Sequence, residues 1–508
     1  MKPQRMTAPS PSRFRQAIRS ELEGMTSVER STGALLLVGA LLIRLLYIGQ
    51  PIRHDEAVTF LDYASQPLGL ALSDYSLPNN HLFHTLLLKA TTSVLGGSLP
   101  AIRLWAFAAG MLTVPAVYLL TRRFADRGAA LLATALAAAW PELVHYSTNA
   151  RGYALIALGF LALLALGDEM AERDTSVLAI AIAVVLALGM YTAPVMLYPG
   201  GAALLWTVVE RGRRAGVAGV RGLLPRVAVT VALAGMLTAI AYSPVVVRSG
   251  LAPLLSNRYV VALSFREFLR TMPAFAGDLA QSLGLGIPLP VLGLLVAAGA
   301  FGAFHPREGR DRRLALVLTV LGWCGLLLAA TRRAPPARVF LFLVPLGCAY
   351  AGMGCALVVR RLALVRLADV RTACAIVALC LAGFLATSSI RSRAVLRTLE
   401  TGTLADAPVT ASYLLARLRP GDRIVVRNPC NIVLDYYLLR GGGRRLREID
   451  SRASTGHVFV VVEPRHLQTL EMVQAIEPRV PWSALTLQAP VDTFTSARVY
   501  TYRAASTE

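Results

Sequence analysis

Polar residues with catalytic potential stand directly beside long apolar stretches of this chain. Asp55 and Glu56 form a pair of carboxylates just after the first apolar stretch, and His54 precedes them. A carboxylate beside hydrocarbon is energetically costly, so this pair marks a candidate functional site. A carboxylate in such a place could accept the proton of a reacting hydroxyl group. The alternative explanation is an ordinary charged edge of a loop.

A second polar group, Asn80, His81 and His84, precedes the next Leu-rich stretch. The two histidines are three residues apart and could share one face of a helix. Imidazole nitrogens in that arrangement suit a metal ion or a phosphate oxygen, although they could equally hydrogen-bond the loop itself. The candidate ligands of a metal ion, if one binds, are Asp55, Glu56 and His81.

Two arginines stand at the edges of later apolar stretches, Arg151 with Tyr153 close behind it and Arg338 at the start of another stretch. A guanidinium stays charged at all relevant pH values, and its planar fork fits two phosphate oxygens. Both arginines are therefore candidate anion clamps. Snorkelling to lipid headgroups is the competing explanation, and Arg332 and Arg333 place equal charges beside Arg338.

The composition indicates that a bilayer is the main solvent for the elements that must position these residues. Of 508 residues, 55% are hydrophobic and 16% are charged. A spanning helix needs roughly 20 mostly apolar residues, because its backbone groups must be satisfied within the segment. The sequence therefore predicts an all-α polytopic membrane protein. About eleven spans are expected, at residues 32–49, 101–121, 128–146, 153–167, 176–191, 193–209, 227–247, 287–304, 314–330, 339–359 and 371–389.

Arginines are concentrated in alternate connections between the predicted spans. The positive-inside rule places those connections in the cytoplasm. They carry Arg122, Arg123, Arg127, Arg211, Arg213, Arg214, Arg221, Arg226, Arg307, Arg310, Arg312, Arg313, Arg360, Arg361 and Arg366. All the candidate site residues then share the extracytoplasmic face. These loops and anionic membrane lipids account for the net charge of +21, so no nucleic acid partner is predicted.

Three regions are expected along the chain. Residues 1–31 form a cytoplasmic N-terminal segment, and residues 32–390 form a transmembrane domain whose first external loop, 50–100, carries the chemistry. The composition then changes: a helical pattern at 411–418, a strand at 423–427, a helix at 432–439 and β-rich runs at 457–462 and 493–502 follow one another. Residues 400–508 are therefore predicted to form a small soluble extracytoplasmic α/β domain.

The polar groups, taken in order, resemble the polyprenyl-phosphate-dependent glycosyltransferases of the GT-C superfamily. Within that superfamily they most resemble the group of protein O-mannosyltransferases, aminoarabinose transferases and lipopolysaccharide-core galacturonosyltransferases, and the resemblance covers roughly residues 30–360. It rests on Asp55-Glu56-Ala57, on Asn80-His81 before a Leu-rich helix, on Ser147-x-x-Ala150-Arg151-x-Tyr153, and on Arg338-x-Phe340 followed by Pro345.

The resemblance implies a multi-pass enzyme that moves a sugar from a polyprenyl-phosphate donor to an acceptor hydroxyl. The arginine pattern places this site outside the cell, and heavy use of Ala, Arg, Leu and Val indicates a bacterial plasma membrane. Attack directly opposite the leaving phosphate would invert the anomeric carbon. The acceptor would be a glycan, a lipid or a protein. Asp55 would be the general base with Glu56 in support, and Arg151 and Arg338 would hold the leaving phosphate. Possible donor or acceptor contacts are His54, Asn80, His81, His84 and Tyr153.

The sequence departs from the family pattern at two places. Asn80-His81 stands where relatives often have His-Pro-Pro, and Asn149 stands where many have Glu. The sugar, the acceptor and any need for a divalent ion therefore stay open. A transporter or lipid flippase is the alternative function, and a scaffolding membrane protein is a third; no internal repeat of the kind that transporters often contain is evident.

Overall fold

The computed structural model describes residues 19–77, 80–255, 260–306, 309–366, 369–449 and 456–504. Residues 1–18 of the predicted N-terminal segment and Arg307 of one predicted inner loop lie outside the described residues. The helices before the C-terminal region are α1 (Ser27–Ile48), α2 (His54–Val58), α3 (Leu68–Ser73), α4 (Leu82–Leu95), α5 (Leu99–Arg122), α6 (Arg127–Ala139), α7 (Pro141–Ser147), α8 (Tyr153–Arg173), α9 (Ser176–Thr192), α10 (Leu197–Ser249), α11 (Ala252–Leu255), α12 (Phe265–Leu283), α13 (Leu289–Phe304), α14 (Arg310–Thr331), α15 (Leu343–Arg366), α16 (Val370–Ser392) and α17 (Ala394–Arg397).

The predicted fold class, a polytopic helical membrane protein with a small C-terminal α/β region, is confirmed. Within the described ranges, seven helices are long and apolar enough to cross a membrane, or eight if a bent pair counts as one span. Every predicted span falls on helix, but the count of eleven differs for two reasons. Helices α9 and α13 have only 17 and 16 residues, and the predicted spans 193–209 and 227–247 are joined in α10.

Two local breaks shape the helix bundle, one inside a predicted span and one between two predicted spans. Span 128–146 consists of α6 and α7, which meet at an angle of 57°. Pro141 opens α7, and the residue before it, Trp140, is extended, as the ring of a following proline requires. In α10, Gly216 has a φ of 62° and interrupts the helix where another residue would be strained.

The arginine-rich connections meet at the end of the helices remote from the candidate site residues. Arg123 at the end of α5 and Arg312 at the start of α14 both contact Asp168 of α8, at 2.8 and 2.9 Å. The opposite end of α8 carries Tyr153. Connections that sequence analysis assigned to one face therefore converge at one end of the helix bundle.

The C-terminal region is a four-stranded sheet with short helices. Its elements are α18 (Ala407–Leu415), β1 (Arg423–Val426), α19 (Cys430–Gly442), α20 (Leu446–Ile449), β2 (Val458–Val462), α21 (Leu470–Gln474), β3 (Leu485–Thr493) and β4 (Arg498–Ala504). The strand order is β1-β2-β4-β3, with β1 parallel to β2 and the other pairs antiparallel. Residues 493–502, predicted as one alternating stretch, contain the turn between β3 and β4.

The C-terminal region shares one apolar core with the loop 50–100, which was predicted to be external. Ile52, Leu61 and Leu88 of the loop belong to the same buried cluster as Leu404 and Tyr436. The backbone N–H of Ile52 also donates to the Tyr437 hydroxyl at 3.0 Å. The loop that carries Asp55 is therefore packed from both sides, by the helix bundle and by residues more than three hundred positions later.

Candidate active site

A cavity of about 720 Å³ brings together three of the residues singled out in the sequence, Asp55, Arg151 and Arg338. His54, His81 and Tyr153 line it as well. Its remaining wall is largely apolar and comes from the start of α10 and the segments beside it, and Asn428 of the C-terminal region adds one amide. A cavity with a polar end and an apolar end suits an amphiphilic ligand.

Asp55 lies in the first turn of α2, and that turn is bonded to the linker between α17 and the C-terminal region. The backbone N–H of His54 donates to Gly402 O at 3.0 Å, and that of Asp55 donates to Thr401 O at 3.2 Å. These are N–H groups that the start of a helix leaves without an intrahelical partner. The linker therefore fixes the backbone of the candidate base.

Glu56 faces away from the cavity and is fully buried. Its carboxylate forms an ion pair with Arg103 of α5 at 2.6 Å. It also accepts hydrogen bonds from the backbone N–H groups of Arg53, at 2.9 Å, and Ala150, at 2.7 Å. Glu56 thus connects the turn that carries Asp55 to the residue that precedes Arg151.

Arg151 is 2% exposed and is held between two segments of the first external loop. Its Nη1 donates to Thr59 Oγ1 at 3.1 Å, and its Nη2 lies 3.0 Å from His81 Nε2. Thr59 Oγ1 in turn donates to the carbonyl of Asp55 at 2.7 Å. The Thr59 hydroxyl therefore links the Arg151 guanidinium to the backbone of Asp55 through two hydrogen bonds.

The N–H group of the His81 ring points toward Arg151. Its Nδ1 accepts the backbone N–H of Gly152 at 2.9 Å, so a neutral ring carries its proton on Nε2. Burial, followed by the charge of Arg151, holds the pKa of His81 well below its usual value and keeps the ring neutral. Two donors, Nε2–H and Nη2–H, are then close together, and an oxyanion placed beside them could accept a hydrogen bond from each.

Arg338 lies on the 3-10 turn Ala337–Phe340, before α15. Its Nε donates to the Tyr153 hydroxyl at 3.2 Å, and its Nη1 lies 3.5 Å from Glu400 Oε1. Helix α12 covers the turn, since the rings of Phe275 and Phe340 pack edge to face at 5.9 Å. Arg338 is thereby directed to the same cavity as Arg151.

Two of the predicted contact residues do not line the cavity. Asn80 is buried and shapes the loop, because its Nδ2 donates to the carbonyls of Ala71 and Asp74 at 3.0 and 2.8 Å. His84 is buried in α4, and neither of its ring nitrogens has a hydrogen-bond partner within the described part of the chain.

The candidate metal ligands Asp55, Glu56 and His81 do not form a ligand set. The Glu56 carboxylate is occupied by Arg103, and the free side of His81 faces a guanidinium, a poor neighbour for a cation. Across the described ranges, no three His, Cys, Asp or Glu side chains are grouped to hold a metal ion. These residues therefore do not fit a metal site.

Sequence analysis missed three residues that position the site, namely Arg103, Glu400 and Asn428. Arg103 had a signal, since it is an arginine inside the predicted span 101–121, where an ionisable residue needs a partner. Glu400 and Asn428 had none, because only the tertiary fold brings the C-terminal region onto the first external loop.

These features define a polytopic membrane protein with an amphiphilic cavity lined by one carboxylate, that of Asp55, and by the three guanidinium groups of Arg151, Arg333 and Arg338. A family model for dolichyl-phosphate-mannose-protein mannosyltransferase matches residues 79–242 of this chain. No curated protein matches the sequence.

The fold is that of ArnT from Cupriavidus metallidurans. The crystal structure of ArnT bound to undecaprenyl phosphate matches with a TM-score of 0.58 and 16% identity, covering 93% of this chain and 98% of ArnT. The apo structure of the same protein matches with a TM-score of 0.57, at the same identity and coverage. The resemblance to the GT-C superfamily is therefore confirmed by the family model over residues 79–242 and by the fold over nearly the whole chain.

Proposed function

We propose that this protein is a glycosyltransferase that moves a sugar from a polyprenyl-phosphate donor to an acceptor hydroxyl group. The observation that carries the proposal is the shared cavity of Asp55, Arg151 and Arg338. The family model and the undecaprenyl phosphate bound to ArnT support a lipid-linked donor.

In the proposed reaction, Asp55 accepts the proton of the acceptor hydroxyl as its oxygen attacks the anomeric carbon. The bond between the anomeric carbon and the phosphate oxygen breaks, and the electron pair leaves on the phosphate. Arg151 and Arg338 stabilise the charge that develops there. Attack opposite the leaving phosphate inverts the anomeric centre.

His81 supports the same step as a neutral donor. Its Nε2–H and the Arg151 guanidinium lie 3.0 Å apart, so one phosphate oxygen could accept from both. Tyr153 orients Arg338 through its hydroxyl. Glu56, in this proposal, has a positioning role, since its oxygens are bonded to Arg103 and to backbone N–H groups.

The apolar part of the cavity wall supports binding of the first isoprene units of the donor. Leu197, Tyr198, Leu254 and Val339 belong to it. Asn428 and His54 line the side next to the C-terminal region, where we place the acceptor. The arginine-rich connections at the remote end of the bundle support a site on the extracytoplasmic face of a bacterial plasma membrane.

The test is transfer from a radiolabelled polyprenyl-phosphate sugar by the purified protein and by Asp55→Asn. We expect the variant to lose at least about a hundredfold in rate, because asparagine cannot accept the proton, while it still binds the donor. Asp62→Asn, a partly exposed carboxylate in the same loop outside the cavity, is the control. Full transfer by a folded Asp55→Asn protein would remove Asp55 as the base.

A further inference from the structure

We propose that Glu400 is an internal counter-ion of Arg338 and that the donor phosphate must compete with it. The idea rests on the proposed function, because it assigns a competitor to the proposed phosphate site. Glu400 lies in the linker between the helix bundle and the C-terminal region, outside every motif of the sequence.

The contact between the two side chains is close but incompletely buried. Glu400 Oε1 lies 3.5 Å from Arg338 Nη1, and the side chains are 20% and 26% exposed. The distance is longer than that of the buried pair of Glu56 and Arg103, at 2.6 Å. Glu400 therefore neutralises Arg338 without the desolvation and short bonds that make an ion pair hard to break.

The backbone of Glu400 is fixed even though its side chain is partly free. The Arg53 guanidinium donates to the carbonyls of Thr398 and Glu400, at 2.9 and 3.0 Å, and to that of Val395. Arg53 itself is 1% exposed and directly precedes the turn of Asp55. The Glu400 carboxylate can consequently turn away from Arg338 while the linker stays in place.

Glu400 has a second partner that can hold its carboxylate when it leaves Arg338. Glu142 of α7 is buried, and its carboxyl is hydrogen-bonded to that of Glu400, with Arg53 as the nearby cation. Asp55 and Glu400 are both close enough to act on the charge of Arg338, and the Tyr146 hydroxyl completes the surroundings. Arg338 thus has two acidic neighbours before any ligand arrives.

Donor binding then becomes an exchange of anions at Arg338. The phosphate replaces the Glu400 carboxylate on the guanidinium, and the carboxylate returns when the lipid phosphate leaves. Removing the carboxylate should therefore strengthen phosphate binding and slow release of the phosphate product, whereas loss of a purely structural residue should weaken both binding and turnover.

The test is binding of undecaprenyl phosphate in detergent to the purified full-length protein. We expect Glu400→Gln to lower the dissociation constant about three- to tenfold, the range expected when a competing charge at a partly exposed site is removed. In transfer assays, both the donor KM and kcat should fall. Glu471→Gln, an exposed carboxylate on α21, is the control and should leave all three values unchanged.

A second variant separates the charge from the contact. Glu400→Asp keeps the charge but shortens the side chain by one methylene, so it should tighten binding by less than Glu400→Gln. Unchanged or weaker binding in a folded Glu400→Gln protein overturns the inference. If the wild type nevertheless binds the lipid phosphate and transfers sugar in a way that depends on Asp55, the proposed function holds and only the role of Glu400 is wrong. If the wild type binds no lipid phosphate, the proposed function and the role of Glu400 are both wrong.

Discussion

Glu56 and Arg103 form an ion pair of 2.6 Å in which neither side chain is exposed to solvent. The pair has two bonds, since Arg103 Nε also donates to the second carboxylate oxygen at 2.8 Å. It joins the turn of Asp55 to the first turns of α5. Glu56 also accepts a hydrogen bond from the backbone N–H of Ala150, the residue before Arg151. One buried carboxylate therefore links the turn of Asp55 to the segment that carries Arg151.

We predict that Glu56→Gln destabilises the protein strongly, because Arg103 would be left as a buried charge without its counter-ion. The expected cost in the free energy of unfolding is about 3–5 kcal/mol. Thermal unfolding in detergent measures it. Glu23→Gln breaks the exposed pair of Arg19 and Glu23 and should change the midpoint by little. Equal midpoints for the two variants would contradict the structural role of Glu56.

Arg151→Lys should weaken donor binding even though it keeps the charge. A lysine ammonium cannot reproduce the planar fork that contacts Thr59 and faces His81. We expect a loss of about ten- to a hundredfold in affinity for undecaprenyl phosphate, measured by titration in detergent. Arg332→Lys is the control, because Arg332 is exposed and does not line the cavity. Wild-type affinity in the Arg151→Lys protein would show that the Arg151 guanidinium does not bind the donor phosphate.

The sequence predicted the principal cavity residues because their signal is local. Asp55, Arg151 and Arg338 stand beside long apolar stretches, and the hydropathy of each neighbourhood is enough to place them at helix ends. The positioning contacts were not predictable in this way. Thr401 and Glu400 contact residues that precede them by several hundred positions, and a single sequence carries no record of that contact.

Local signals were also misleading where they competed with tertiary structure. His84 belonged to a promising pair of histidines, yet α4 turns its ring into the protein, whereas His81 at the helix start lines the cavity. Glu56 looked like a partner of Asp55, but adjacent residues in a helical turn point in different directions. Its direction was decided by Arg103, which lies inside a membrane span.

The stability of the protein should fall in acid because of His84. Burial, followed by the charge of Arg151, lowers the pKa of His84 from 6.5 to about 3. The unfolded chain therefore binds a proton below pH 6.5 that the folded chain rejects until about pH 3, so folding loses stability as the pH falls through this window. One such group contributes a slope of up to about 1.4 kcal/mol per pH unit.

The check is the unfolding midpoint of the wild type and of His84→Leu between pH 7.5 and 4.5. The variant should show the shallower dependence, since it no longer has this proton-binding group. His457→Leu, in a partly exposed position on the C-terminal region, is the control. Parallel curves for wild type and His84→Leu would exclude a buried neutral histidine at this position.

Gly152→Ala should disturb the anion site by steric overlap, without any change of charge. A Cβ at this position would lie 2.2 Å from Thr192 Cγ2 and 2.9 Å from His81 Nδ1, so the ring of His81 must shift. We expect a destabilisation of about 1–3 kcal/mol from overpacking, together with weaker donor binding. Gly69→Ala, in the loop that carries His81 but with open space around the added methyl group, should leave donor binding unchanged. A Gly152→Ala protein that binds donor normally would show that His81 does not contact it.

The bonds between the linker and the turn of Asp55 have a consequence for biosynthesis. Asp55 leaves the ribosome early, but the carbonyl groups of Thr401 and Gly402 that hold its turn are made almost 350 residues later. Leu404 and Tyr436, which complete the core beneath that turn, follow still later. The nascent protein therefore makes its described membrane helices before its candidate catalytic centre can assemble, and that centre is complete only after residues 401–436 have been made.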